Sequence, residues 1–125
     1  MHTILICDDD RDIVSALDIY LASEGYRTLK AYNGLEAIQA VERNEVHLIL
    51  MDIMMPVMDG LEASKKIREL PEGKGKDIPI IAMTANAFVE DKEKTKEAGM
   101  NAHLTKPVNR EEIIRVLAAY WKNKG

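Results

Sequence analysis

With only one cysteine in 125 residues, the chain can form no intramolecular disulfide. That suits a reducing compartment, and the cytoplasm is the expected location. The cysteine, Cys7, lies inside the apolar run Ile4-Leu5-Ile6-Cys7 and reads as a small buried hydrophobe. No apolar stretch approaches the ~20 residues a membrane helix needs, so no membrane span is expected. Charge from Asp8 to Asp12 interrupts the first apolar run, which is not the layout of a signal peptide. No His or Cys cluster has zinc spacing, and no loop has EF-hand spacing. Positive charge is not in excess either. A formal net charge of -4 gives no support for direct nucleic-acid binding. Apolar and charged fractions are ordinary for a globular chain, which argues against disorder. There is no internal repeat, no low-complexity tract and no second domain, so one domain over residues 1–125 is expected.

What is present is a fivefold alternation of strand and helix. Thr3 to Cys7 reads as a strand, and the acids that follow favour a helix start. Ile13, Ala16, Leu17, Tyr20 and Leu21 mark one face of that helix, which Gly25 stops. Arg27 to Ala31 is a second strand, and Asn33-Gly34 a turn before a helix bearing Leu35, Ile38 and Val41. Val46 to Met51 is too short for a helix and reads as a buried strand. A third helix spans Asp59 to about Leu70, with Asp59 as its N-cap and Leu61, Ser64, Ile67 and Leu70 in register. Pro71 to Asp77 reads as a flexible polar loop. Ile78 to Met83 is the fourth strand, closed by Thr84. A charged helix follows from Asn86 to Ala98, capped by Gly99. Ala102 to Thr105 is the fifth strand, ended by Lys106-Pro107. Ile113, Ile114, Leu117, Tyr120 and Trp121 stripe the last helix. The pattern predicts an α/β, doubly wound, five-stranded parallel sheet with helices on both faces, flavodoxin-like; of the two commonest orders, 2-1-3-4-5 and 3-2-1-4-5, five strands and a short chain favour the first.

In a parallel sheet all strand C-termini point one way, and ligands bind there. The residues at those ends are Asp8-Asp9, Asp52, Thr84 and Lys106. Three carboxylates this close repel by on the order of 4 kcal/mol per pair at 4 Å and an effective dielectric of about 20. They stay ionised together only beside a cation, and hard oxygen donors with room for water suit Mg2+. Carboxylate-bound Mg2+ recruits a phosphate, which Lys106 can pair with and Thr84 can hydrogen-bond. A carboxylate beside such a metal can be the nucleophile that forms an aspartyl phosphate. Asp52, on the central strand, is the expected phosphoacceptor. His2 and His47 read as structural or solvated, and Asp10 and Asp12 as helix-start acids.

Four stretches in this order resemble the receiver domain of two-component response regulators. They are Ile6-Cys7-Asp8-Asp9, Met51 to Gly60 (with Asp52 and Met54-Met55-Pro56), Met83-Thr84-Ala85, and Lys106-Pro107. The resemblance covers about Thr3 to Trp121. It implies that Asp52 accepts phosphate from a histidine kinase or histidine phosphotransfer protein in a phosphorelay. It also implies that Asp8, Asp9, Asp52 and the backbone carbonyl of Met54 hold Mg2+, directly or through water. Lys106 would pair with the phosphoryl group, Thr84 would move to hydrogen-bond it, and the Lys106-Pro107 bond would be cis. The output would be a changed helix 4/strand 5/helix 5 face read by a downstream effector protein or domain. Such a chain catalyses only its own phosphorylation and dephosphorylation, as a monomer or a weak phosphorylation-dependent dimer.

The sequence departs from that family in places. The aromatic switch position three residues before the lysine is His103, a smaller, titratable ring. Asn101 and Ala102 replace two acids that many DNA-binding regulators use in a dimer contact, so their symmetric dimer is not expected. The segment Ile81 to Ala87 resembles receivers fused to hybrid sensor kinases, whereas the N-terminus resembles a free-standing regulator. Met54 and Asn86 lie two residues beyond Asp52 and Thr84, positions that in the family influence water attack; Met54 cannot activate water and Asn86 can at most orient it, so slow autodephosphorylation is expected.

Two other readings compete. A haloacid-dehalogenase-like phosphatase would use Asp8 as nucleophile in Asp8-x-Asp10, but the following Gly-Thr is missing and no cap domain fits in this length. A flavodoxin-like electron carrier would need a Ser/Thr/Gly phosphate loop where this chain has acids.

Overall fold

A computed structural model of the chain describes residues 2–85 and 92–121. The strands are β1 (Thr3–Cys7), β2 (Arg27–Ala31), β3 (Leu48–Asp52), β4 (Ile80–Thr84) and β5 (Ala102–Thr105). The helices are α1 (Arg11–Ser23), α2 (Gly34–Arg43), α3 (Gly60–Arg68), α4 (Lys92–Glu97) and α5 (Arg110–Tyr120). All strand pairs are parallel, in the order β2-β1-β3-β4-β5. The expected fold class and strand order are those observed.

β1, β3 and β4 are buried along their whole length, as sheets covered on both faces require. Their side chains alternate between two cores. Leu5, Cys7, Ile49, Met51, Ile80 and Ala82 face Ala37 and Val41 of α2 and Ala63 and Ile67 of α3. Ile4, Ile6, Leu48, Leu50, Ile81 and Met83 face Val14 and Leu17 of α1 and Ile113 and Leu117 of α5. Each fully buried aliphatic side chain contributes about 1.5–3 kcal/mol of transfer free energy. Cys7 behaves as expected of a buried hydrophobe. Burial first, and the neighbouring Asp8 charge second, push its thiol far above its usual range.

Several boundaries shift. β3 begins at Leu48 and ends on Asp52, so the acid belongs to the strand. β4 begins at Ile80, because Pro79 has no N–H for the ladder; its carbonyl still accepts Ile49 N–H at 2.9 Å. The apolar stripes also differ from expectation. Ala16 and Leu35 are exposed, and Val14 and Ala37 fill the core instead. Ile114 is likewise exposed while Val116 is buried. The polar loop from Pro71 to Asp77 opens with a 3-10 turn at Pro71–Gly73. Of the helix expected from Asn86 to Ala98, Lys92–Glu97 is helical, and residues 86–91 lie outside the described residues.

Candidate functional site

Local chemistry places the first two acids. Asp8 N–H bonds the Ala31 carbonyl at 3.1 Å, holding the β1 exit against β2. Asp8 Oδ1 accepts from Asp10 N–H at 2.9 Å, which turns the chain toward α1. Asp10 is the N-cap of α1, its Oδ1 accepting from Asp12 N–H at 3.0 Å and Ile13 N–H at 3.4 Å. Its carboxylate is therefore engaged in capping. Asp8 is wholly buried, whereas Asp9 is exposed.

Asp52 arrives from β3, opposite Met83 in register, with 4% of its surface exposed. Gly60 makes room for the turn that follows. A Cβ there would stand 2.3 Å from the Asp52 carbonyl oxygen, and Gly60 N–H bonds Ile53 O at 2.9 Å. Asp59 caps α3 as expected, its Oδ1 accepting from Glu62 N–H at 2.8 Å. Between them, Met54 and Val57 are exposed, and Val57 has a left-handed backbone with φ 69°.

Thr84 ends β4, buried, and its carbonyl accepts the Lys106 N–H at 2.8 Å. The Lys106-Pro107 peptide is cis. Lys106 reaches back so that its Nζ lies 2.7 Å from Asp8 Oδ2 and 3.1 Å from Asp52 Oδ1. Asp8, Asp9 and Asp52 each offer a carboxylate oxygen within 4.8 Å of the others. Thus the acids and the lysine expected at the strand ends are brought together, and Thr84 ends the adjoining strand.

The electrostatics follow from burial and charge count. Burial, then the Asp8 charge, raise the Asp52 carboxyl to a pKa of about 6, and Lys106 only partly opposes them. Burial pushes the Lys106 ammonium down, but contact with Asp8 and Asp52 outweighs it and the net shift is upward. Among the described residues, the ion-pair partner of Asp8 Oδ2 is that ammonium, 2.7 Å away. Three carboxylates against one ammonium leave a surplus of two negative charges when all are ionised. A divalent hard cation matches both that surplus and the all-oxygen donor set. The residues present therefore fit Mg2+.

A family model described as the response regulator receiver domain matches residues 4–118. The chain belongs to this family. Among its relatives, a 14.6 kDa protein of the sodA1 3' region of Leptolyngbya boryana is 42% identical over 117 residues, covering 94% of this chain and 88% of that protein. Sensor histidine kinase RcsC of Salmonella typhi is 35% identical, over 94% of this chain but only 12% of the kinase. Among solved structures, the receiver domain of sensor histidine kinase PA1611 of Pseudomonas aeruginosa is 37% identical, with a TM-score of 0.87 and 98% of each chain covered. That structure has a magnesium ion coordinated in its active-site cleft. The co-crystal structure of the Saccharomyces cerevisiae phosphotransfer protein Ypd1 with the Ssk1 receiver domain matches at 32% identity and a TM-score of 0.85, over 94% of this chain and 86% of that one. This chain is thus a receiver domain of two-component signalling rather than a classical enzyme. The phosphatase alternative falls with that assignment, and Asp10 of its Asp8-x-Asp10 signature is an α1 cap. No described helix is long and apolar enough to cross a membrane.

Other residues from the sequence reading have local roles. His103 on β5 meets Thr95 of α4, with Nε2 and Oγ1 2.8 Å apart. His47 Nδ1 accepts the Thr3 N–H at 2.9 Å, and His2 stacks on Trp121 at 4.1 Å. Asn86 lies outside the described residues.

The sequence reading missed Arg68. Its guanidinium donates to the carbonyls of Gly75 (2.7 Å), Lys76 (3.1 Å), Ile78 (2.7 Å) and Gly99 (2.6 Å), and to Asn101 Oδ1 (2.9 Å). Asn101 Oδ1 also accepts the Ile80 N–H at 2.8 Å. One side chain thereby ties the loop before β4 to the turn after α4. No local pattern marks such a residue, because its acceptors are backbone groups distant in sequence.

Proposed function

We propose that this single domain, residues 1–125, is the phosphoacceptor of a phosphorelay and that Asp52 carries the phosphoryl group. The observation that supports this best is Asp52 itself, nearly buried at the end of the central strand, 3.1 Å from the Lys106 ammonium and beside Asp8 and Asp9. The donor is a phosphohistidine of a histidine kinase or phosphotransfer protein. An Asp52 carboxylate oxygen forms a new O–P bond as the N–P bond breaks, and the imidazole leaves with the electron pair and takes a proton from solvent. Lys106 turns its ammonium from the carboxylates to the incoming phosphoryl oxygens, and Thr84 donates a hydrogen bond to them.

Asp8, Asp9, Asp52 and the Met54 carbonyl would hold Mg2+, directly or through water. The ion would supply charge neutralisation of the carboxylates and of the phosphoryl group. Self-catalysed phosphoryl gain and loss at Asp52 is the only chemistry assigned. Thr84 and His103 relay the change to the face of α4, β5 and α5, which a downstream effector reads. The domain acts in the cytoplasm as a monomer or weak phosphorylation-dependent dimer, without touching nucleic acid or membrane.

Incubation with acetyl phosphate or a phosphorylated kinase plus Mg2+, followed by intact-mass measurement, tests this. One added phosphate is expected, lost in Asp52→Asn and kept in Asp10→Asn. Labelling that survives Asp52→Asn would overturn the assignment.

A further inference from the structure

Sulfur is concentrated where β3 runs into α3. Met51 lies in β3, and Met54, Met55 and Met58 follow in the loop to α3. Cys7 Sγ stands 3.5 Å from Met55 Sδ. Exposure separates these groups. Met51 is wholly buried, and Met55 and Met58 are partly buried against the α2/α3 core. Elsewhere, Met83 and Met100 are buried. Met54 is 74% exposed, the one exposed methionine among the described residues. Cys7 does not compete for an oxidant. It is buried, its thiol donates to the Asn33 carbonyl at 3.4 Å, and burial keeps it protonated, whereas the thiolate is the reactive form.

Backbone alternation sets the side on which Met54 lies. Ile49, Met51 and Ile53 join the α2/α3 core, and Met55 packs against it as well. Ile53 N–H still bonds the Met83 carbonyl at 3.2 Å, one residue past the end of β3. The strand's alternation therefore continues beyond Asp52, and Asp52 and Met54 share the other side. The most accessible thioether among the described residues thus stands two residues from the phosphoacceptor, on its side of the chain.

We propose that Met54 is a reversible oxidation site and that its sulfoxide shortens the lifetime of phosphorylated Asp52. The oxidant is a peroxide. The Sδ lone pair attacks one peroxide oxygen, and an S–O bond forms as the O–O bond breaks. The departing hydroxide takes the proton of the transferred oxygen and leaves as water. Sulfur loses two electrons and the peroxide gains them. A thioether is a weak hydrogen-bond acceptor, whereas the sulfoxide is polar and presents an oxygen. Beside the acyl phosphate, that oxygen accepts a hydrogen bond from a water and orients it toward phosphorus. Methionine sulfoxide reductases return the thioether, so the change is a switch rather than a lesion. The effect on lifetime rests on the phosphoacceptor reading of Asp52, and the site of oxidation does not.

The test exposes the full chain to dilute hydrogen peroxide, removes the peroxide and locates the added oxygen by peptide mass mapping. Met54 is expected to oxidise at least about fivefold faster than Met51, Met55, Met58, Met83 and Met100. Oxidised and untreated chains are then phosphorylated with acetyl phosphate and Mg2+, and decay is followed by intact mass. Oxidation should shorten the lifetime about threefold to tenfold, less than the ~10²–10⁴-fold of a general base. In Met54→Leu, the lifetimes before and after peroxide should agree. Met54→Gln, whose amide carbonyl stands in for the sulfoxide oxygen, should decay faster than Met54→Leu with no peroxide present. Faster oxidation of another of these methionines overturns the inference. So does an unchanged lifetime after oxidation of Met54, or equal shortening in Met54→Leu. Phosphate uptake is measured before peroxide is added. A chain that takes up none refutes the phosphoacceptor reading, and the oxygen map still decides whether Met54 is the oxidation site.

Discussion

Thr95 Oγ1 lies 2.8 Å from His103 Nε2 and 2.9 Å from the Lys92 carbonyl, to which it donates its one hydrogen. The hydroxyl must therefore accept from the imidazole, so Nε2 carries a proton. Thr95 is buried, so this bond joins α4 to β5 away from competing water. Nitrogen NMR should show His103 protonated at Nε2. Thr95→Val should destabilise the fold by about 1–2 kcal/mol, by leaving that N–H against a methyl group. An Nε2 without a proton would refute the assignment.

The buried Asp52 carboxyl makes stability depend on pH when Mg2+ is withheld. Its pKa is raised to about 6 in the fold, so between about pH 4 and 6 the native protein binds more protons than the unfolded chain. This contribution is fully present below the ordinary carboxylate pKa and is lost as pH rises through about 6, costing at most about 3 kcal/mol. The unfolding free energy from urea titration should fall from pH 4 to 7 by up to that amount relative to Asp52→Asn. Adding Mg2+ at pH 7 should raise the midpoint of the unaltered protein more than that of Asp52→Asn.

Gly60→Ala should be among the costliest small substitutions. Its methyl group would meet the Asp52 carbonyl oxygen at 2.3 Å and the Ile53 Cα at 3.0 Å, backbone atoms that cannot rotate away. A loss of about 2–4 kcal/mol in stability is expected. Calorimetric Mg2+ titration should show weaker binding, because Asp52 must shift.

Arg68→Met should leave its carbonyl acceptors and Asn101 Oδ1 without that donor, costing about 2–4 kcal/mol. Hydrogen exchange should accelerate first around residues 75–78 and 99–101. Arg68→Lys should not rescue, since an ammonium cannot span acceptors set for a planar fork. Uniform acceleration across the sheet would contradict a local clamp.

Met54, exposed and without acid or base, offers no help to a water attacking phosphorylated Asp52. Against a general base worth ~10²–10⁴-fold, a phosphoprotein lifetime on the order of minutes to hours is expected. Following intact mass after donor removal measures it, and decay within seconds would contradict it.

The sheet and the acidic cleft were legible because both are written in short-range patterns. Apolar runs such as Ile4 to Cys7 and Leu48 to Met51 declare buried parallel strands, and topology then carries their terminal residues to one edge. Helix faces were less legible. Ala16 and Leu35 satisfy the helical period yet are exposed, because which of the overlapping i, i+3, i+4 stripes meets the sheet is set by packing, and Val14 with Leu17 and Leu21, and Ala37 with Ile38 and Val41, fill the core.

By itself the sequence determined the fold class and the set of side chains at the strand ends, since these follow from periodicity and chain direction, whereas five strands in a short chain only favoured the order 2-1-3-4-5 over 3-2-1-4-5. Only the tertiary structure decided that Lys106 bridges Asp8 and Asp52, that Gly60 packs on the Asp52 carbonyl, and that Arg68 binds the loop before β4 to the turn after α4. Those contacts join residues far apart in the chain, and their energies depend on distances of a few ångströms and on the exclusion of water, which no local pattern encodes.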